Sequence, residues 1–184
     1  MSVKSADPAD DAMTLLMHSQ GRVRLLLERY AHLPDEPALP ERRRDLMHSL
    51  CGELAAHLRV EEELLFPPLR DRLSDPAPLE RAEVEHACLR ELVEQLRGRA
   101  ADAPLSDARM HLLATLVELR FNHELRELYP MTSQLDPRWA AIGQQLARRR
   151  QDLLSAFAQG DGERAEFGGE AKVGAVGPVD RPSR

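Results

Sequence analysis

The stretch His57-Leu58-Arg59-Val60-Glu61-Glu62-Glu63-Leu64-Leu65-Phe66-Pro67 sets an imidazole and a carboxylate four residues apart inside a leucine-rich segment. At 100° per residue this spacing puts His57 and Glu61 on one helix face, one turn apart. The same face carries Leu50 and Leu54 before them and Leu64 and Leu65 after them, so both polar groups point into a core. A carboxylate in an apolar interior is very costly unless it is paired. It therefore needs a metal ion or an ion-pair partner, and other helices must bring one.

The rest of the chain supplies such helices. Asp7-Pro8 is a cap followed by proline at the first helical position, and the pattern Leu15, His18, Leu25, Leu26, Tyr30 predicts helix 1 over about 8–32. Pro34 and Pro37 break it. Pro40 opens helix 2, which is expected to run through His57 and Glu61 until Pro67-Pro68 end it. Asp75-Pro76 and Pro78 open helix 3, with the stripe Leu79, Ala82, His86, Leu89, Val93, Leu96. Ser106 caps helix 4, with Leu113, Leu116, Val117, Glu124 and Leu128 inward and Tyr129-Pro130 at its end. Asp136-Pro137 repeats the start signal for helix 5, about 137–158, which carries Trp139, Ile142, Leu146, Leu153 and Leu154 along the outside. Long helices joined by short proline-marked connections predict an all-α protein, an antiparallel four-helix bundle with an additional C-terminal helix. The bundle is expected to occupy 8–158. Residues 159–184 mix glycine, proline and charge without period and read as a disordered tail.

Composition agrees. There are 30 leucines and a single isoleucine, a balance that favours helix over strand. The net charge of -6 argues against a nucleic-acid or anionic-membrane surface. No apolar run reaches the roughly 20 residues that span a bilayer. Residues 1–11 lack the apolar stretch of a secretory signal, so a cytoplasmic protein is expected. Cys51 and Cys88 form no CxxC and read as reduced core thiols. Arg42-Arg43-Arg44 and Arg148-Arg149-Arg150 read as solvated faces, and Gly21 as a small inward position one turn after His18.

Each of the first four helices places a histidine on or near its inward face: His18, His57, His86 and His123. One core histidine is ordinary packing; one from every helix points to a common ligand. The remaining histidines do not share the site. His48 lies 180° around helix 2 from His57, His111 is turned from the inward stripe of helix 4, and His32 stands roughly 21 Å along the axis from His18. Imidazoles with two carboxylates in a bundle core are a ligand set for iron, manganese or zinc, and two carboxylates able to bridge make a two-metal site plausible.

Over about residues 10–158 the chain resembles the hemerythrin-like, or HHE cation-binding, family. The resemblance rests on Met17-His18, on His57-Leu-Arg-Val-Glu61 with its Leu65-Phe66-Pro67 ending, on Glu85-His86, and on Glu124-Leu-Arg-Glu127-Leu-Tyr129-Pro130. It implies a four-helix bundle with a non-haem di-iron centre. His18, His57, His86 and His123 would be terminal ligands, Glu61 and Glu124 would bridge two iron ions, and oxygen, nitric oxide or peroxide would be bound, sensed or detoxified, or iron handled. One position departs from the pattern. His57 stands ten residues before Pro67, but ten before Pro130 is Arg120; Glu124, six before that proline, matches Glu61. His123 is rotated about 60° from the expected ligand direction, and it forms a shifted HxxxE with Glu127. Arg120 either leaves His123 to complete the coordination or forms a buried ion pair with Glu124 or Glu61. Three functional classes stay open: an oxidant-binding metalloprotein, an enzyme turning over peroxide or nitric oxide at the same centre, and a metal-free bundle acting in structure or protein contacts.

Overall fold

The computed structural model describes residues 11–34, 40–97, 105–135, 139 and 142–160. The expected Asp7-Pro8 and Asp136-Pro137 starts, and the expected tail beyond Gly160, lie outside the described residues. The elements are α1 (Ala12–Ala31), α2 (Pro40–Val60), a π-helical turn (Glu61–Leu65), α3 (Phe66–Arg70), α4 (Ala77–Leu96), α5 (Ser106–His123), a second π-helical turn (Glu124–Leu128), a 3-10 turn (Tyr129–Gln134) and α6 (Gly143–Ala158). No strand occurs among the described residues, and none of their helices is long and apolar enough to cross a membrane.

Helices α1, α2, α4 and α5 form the four-helix bundle. α2 packs against α1 and α4, and α4 against α5. Arg24 to Glu118 and Tyr30 to Asp107 close the ring between α1 and α5. Tyr30 ends α1 while Asp107 begins α5, so these neighbours run antiparallel; Gln95 with Arg109 shows the same for α4 and α5. Two apolar clusters fill the interior. One is built on Val23, Leu54, Leu89, Val93, Leu113 and Phe121. The other is built on Leu16, Leu65, Leu69, Ala82, Leu128 and Trp139. Between them lies a layer of buried polar side chains, Gln20, His57, Glu61, His86, Arg120 and Glu124.

The inward face of α1 differs from the expected one. Its buried residues are Ala12, Leu16, Ser19, Gln20 and Val23, while His18, Gly21 and Leu25 are exposed. Leu15, Leu26 and Tyr30 of the expected stripe only flank the core clusters, and the fully buried stripe carries two polar residues. The helix is capped by Asp11, whose carboxylate accepts from the Thr14 backbone N–H at 3.1 Å. α5 begins with Leu105 at the cap position, in the left-handed region at φ 69°, and Ser106 is its first helical residue rather than its cap.

Pro67 and Pro68 do not end the helix. Proline has no N–H and its ring crowds the carbonyl four residues back, so an unbroken α-helix cannot pass through it. Here the chain widens by one residue instead: the Phe66 N–H bonds the Glu61 carbonyl, and both prolines fall in the first turn of α3, where a missing N–H is tolerated. The Leu64 carbonyl, whose α-helical partner would be the N–H of residue 68, accepts instead from the Trp139 indole N–H at 3.0 Å. The same device recurs before Pro130, where the Tyr129 N–H bonds the Glu124 carbonyl.

α6 lies along α2 and α1 on the outside of the bundle. Leu146 and Phe157 are buried beneath it, and Phe157 packs so close to Gly52 that a Cβ there would lie 2.9 Å from the ring. The arginine run is not merely solvated. Arg149 makes a forked pair with Glu63 at 2.6 and 2.9 Å, and Arg150 bonds Glu53.

Cys51 is buried in the core, whereas Cys88 is exposed, since it lies well round α4 from the His86 stripe. Burial pushes the Cys51 thiol up to about 12. In native protein near pH 8, a thiol-specific chromogenic reagent should therefore titrate one cysteine rapidly and reach the second only after denaturation. Two fast equivalents in the native state would contradict this packing. Trp139→Phe should leave the Leu64 carbonyl without its donor and destabilise the fold by about 1–3 kcal/mol in urea melts.

Candidate metal centre

Both π-helical turns begin at a buried glutamate, Glu61 at the end of α2 and Glu124 at the end of α5. The Phe-Pro and Tyr-Pro pairs that force the widening thus sit at a fixed distance after the site carboxylates. His57, one turn before Glu61, has Nε2 3.8 Å from Glu61 Oε1 and 3.6 Å from Glu124 Oε2. One ligand atom from each of these three residues falls within 4.8 Å of the others, the metal-compatible group among the described residues. All three side chains are fully buried.

His86 enters from α4 with Nε2 3.4 Å from Glu61 Oε2. Its Nδ1 lies 3.0 Å from Glu62 Oε1, and Glu62 is held in turn by Arg90. A carboxylate on one ring nitrogen fixes the orientation of the other, here toward the centre. Burial works against charge on this imidazole, but Glu61 and Glu62 outweigh it and raise its pKa.

Arg120 comes from α5 and is buried. Its Nε lies 2.8 Å from Glu124 Oε1, its second terminal nitrogen 3.7 Å from Glu61 Oε2, and its first 3.4 Å from Glu85 Oε2. Each glutamate therefore offers one oxygen to the His57 side and the other to Arg120. On the His57 side the Tyr129 hydroxyl lies 2.8 Å from Glu61 Oε1 and 3.2 Å from Glu124 Oε2. The Gln20 carboxamide donates to that hydroxyl at 2.9 Å and to Glu124 Oε2. Burial raises Glu61, yet His57, His86 and Arg120 together outweigh it and hold its carboxyl well below the usual range. Burial, then the charges of Glu61 and Glu124, push Tyr129 well above the usual phenol value, so it stays protonated.

Several of these atoms lack an aligned hydrogen bond: both nitrogens of His57, Nε2 of His86, Oε2 of Glu61, Oε1 of Glu124, and Nε and one terminal nitrogen of Arg120. Buried polar groups are rarely left so. Imidazole nitrogen and carboxylate oxygen converging in this way are the donor set of a first-row transition metal.

Of the six ligands expected from the sequence, the structure brings His57, Glu61, His86 and Glu124 together. It does not bring in His18, which is exposed. His123 is turned aside and half-buried, its Nδ1 2.6 Å from Glu85 Oε1. Glu127 pairs with Arg81 near the surface at 3.1 Å. His48 and His111 are exposed, as their phases implied, and His32, set apart by its distance along the axis, is exposed too. Arg120 takes the ion-pair alternative. Gln20, Tyr129, Glu62 and Glu85 were not anticipated. The spacing Ala12, Leu16, Gln20, Val23 marks Gln20, and Tyr129, aligned with Phe66 by the following proline, differs from it by one hydroxyl in a core position.

The hemerythrin HHE cation binding domain family model matches residues 11–132. The chain belongs to this family. The HHE fold is seen again in a crystal structure of a hemerythrin HHE cation binding domain-containing protein from Mycobacterium kansasii, with a TM-score of 0.66 over 79% of this chain and 88% of that one, at 19% identity. No curated protein matches the chain by sequence. Within this HHE domain, Tyr129 is the hydroxyl that ties the two site carboxylates. Tyr129→Phe should lower stability by about 1–3 kcal/mol, because it strips a donor from buried carboxylates. His18→Ala, on the solvent side of α1, should stay within about 0.5 kcal/mol of the parent. Urea unfolding of the two variants checks the assignment, and equal losses would contradict it.

Proposed function

We propose that this HHE domain binds one transition-metal cation, best iron, through His57, Glu61 and Glu124, with His86 bordering the site, and that it binds, senses or detoxifies a small oxidant such as oxygen, nitric oxide or peroxide. The observation that carries this reading is the convergence of His57, Glu61 and Glu124 in the core, with one ligand atom of each within 4.8 Å of the others and neither His57 nitrogen hydrogen-bonded. Mixed imidazole and carboxylate ligands suit iron, manganese or zinc. When bound, iron would supply a redox-active Lewis acid to a small ligand.

The protein's own residues do the rest. Glu61 and Glu124 are held in place by Tyr129 and Gln20. Tyr129 keeps its proton at the His57 side of the pair, available as a hydrogen bond. The apolar clusters on either side shield the site from bulk water. The two iron ions implied by the resemblance are less well supported than one, because a guanidinium stands where His57 has its counterpart, and His18 and His123 face elsewhere. Two free thiols fit a reducing, cytoplasmic setting.

The metal-free structural reading has one observation in its favour: Arg120 with a protonated His86 balances Glu61 and Glu124 without any metal. Metal analysis after expression with iron supplied separates the two. The proposal expects about one iron per chain, near-complete loss in His57→Ala and Glu61→Ala, and retention in His18→Ala, His48→Ala and His111→Ala. Parent protein that is fully helical yet retains no metal would sink it.

A further inference from the structure

The chain carries an internal repeat that defines two cation positions, and only the first repeat supplies a histidine; at the second, beside His86, it supplies an arginine. His57 precedes Glu61 by four residues and Pro67 by ten; Arg120 precedes Glu124 by four and Pro130 by ten. Both glutamates open a π-helical turn, so the correspondence holds in the backbone as well as in the sequence. His57 faces Glu61 Oε1 and Glu124 Oε2. Arg120 faces the other two oxygens, Glu61 Oε2 and Glu124 Oε1.

The structure assigns Arg120 as the resident cation of the second position: its guanidinium fills the place of a second metal ion, limits the domain to one metal per chain, and lets the core fold without any. The assignment of the metal to the His57 side rests on the function proposed above; the role of the guanidinium rests on its own geometry. Arginine cannot lose its proton, so it cannot turn into a ligand as a histidine would. Nor is it placed to leave. It is 1% exposed, and Glu85 holds its outer edge while itself tied to His123. A dication beside it would meet a like charge in a low-dielectric interior, whereas the two carboxylates without it would repel each other. An arginine thus performs permanently, and without redox chemistry, the neutralisation that a second metal would perform on binding.

The test uses the full chain, stripped with a chelator and titrated anaerobically with ferrous iron, with thermal melts of the metal-free and loaded forms. Arg120→His restores an imidazole four residues before Glu124 and should raise the iron bound from one equivalent to two. Arg120→Met removes the charge at similar length. Its metal-free form should melt several degrees below the parent and recover more on adding iron than the parent does. Arg120→Lys keeps the charge, so it should hold the parent's single equivalent and should fold even where Arg120→Met does not. The assignment is overturned if Arg120→His stays at one equivalent, if metal-free Arg120→Met melts as high as the parent, or if Arg120→Lys takes two. A parent that binds no iron refutes the metal reading of the His57 side, and the metal-free melts still decide the role of the guanidinium.

Discussion

Two carboxylates buried against each other, Glu61 and Glu124, set the terms for the rest of this bundle. Like charges in a dry interior are tolerated only with compensating cations and donors close at hand. Every helix of the bundle contributes one: α1 gives Gln20, α2 gives His57, α4 gives His86, and α5 gives Arg120, with Tyr129 just beyond it. An outer ring supports these groups in turn. Glu62 and Arg90 orient His86, and Glu85 and His123 hold Arg120. The apolar clusters above and below make each of these interactions stronger than it would be in water, and the loss of any one more costly.

The carboxylates reach this position through proline. The Phe66-Pro67 and Tyr129-Pro130 pairs cannot continue a regular helix, and the chain answers with a π-helical turn that begins at the glutamate. Such widened turns are found most often at functional sites. Here the cause is local chemistry, and the consequence is a matched pair of acidic side chains at equivalent points of two helices. Trp139 then satisfies a carbonyl that Pro68 leaves free, so the outer helical segment is tied to the same device.

The architecture was legible because leucine phase and proline punctuation both report on helices, and the α4 stripe through His86 is uniformly apolar around its one polar residue. The quartet His57, Glu61, His86 and Glu124 was legible for the same reason. α1 departs from its expected face because its buried side carries Ser19 and Gln20, while Leu25 is exposed and Leu15 and Leu26 only flank the core. Reading at a fixed 100° per residue could not foresee the π-helical turns, and it carried helix 2 only to Pro67. His123, near the end of α5, looked able to swing inward, but its ring is captured by Glu85. Tyr129 was read as a helix end because nothing in its sequence neighbourhood shows that its hydroxyl reaches two carboxylates.

The central claim is that the glutamate pair is flanked by one metal ion and one guanidinium. Anomalous diffraction at the iron edge from crystals grown with ferrous iron tests it most directly. The account predicts a single anomalous peak beside His57, Glu61 and Glu124, with the Arg120 guanidinium still seated against Glu61 Oε2 and Glu124 Oε1. Two peaks of similar height, with Arg120 turned out of the core, would contradict it.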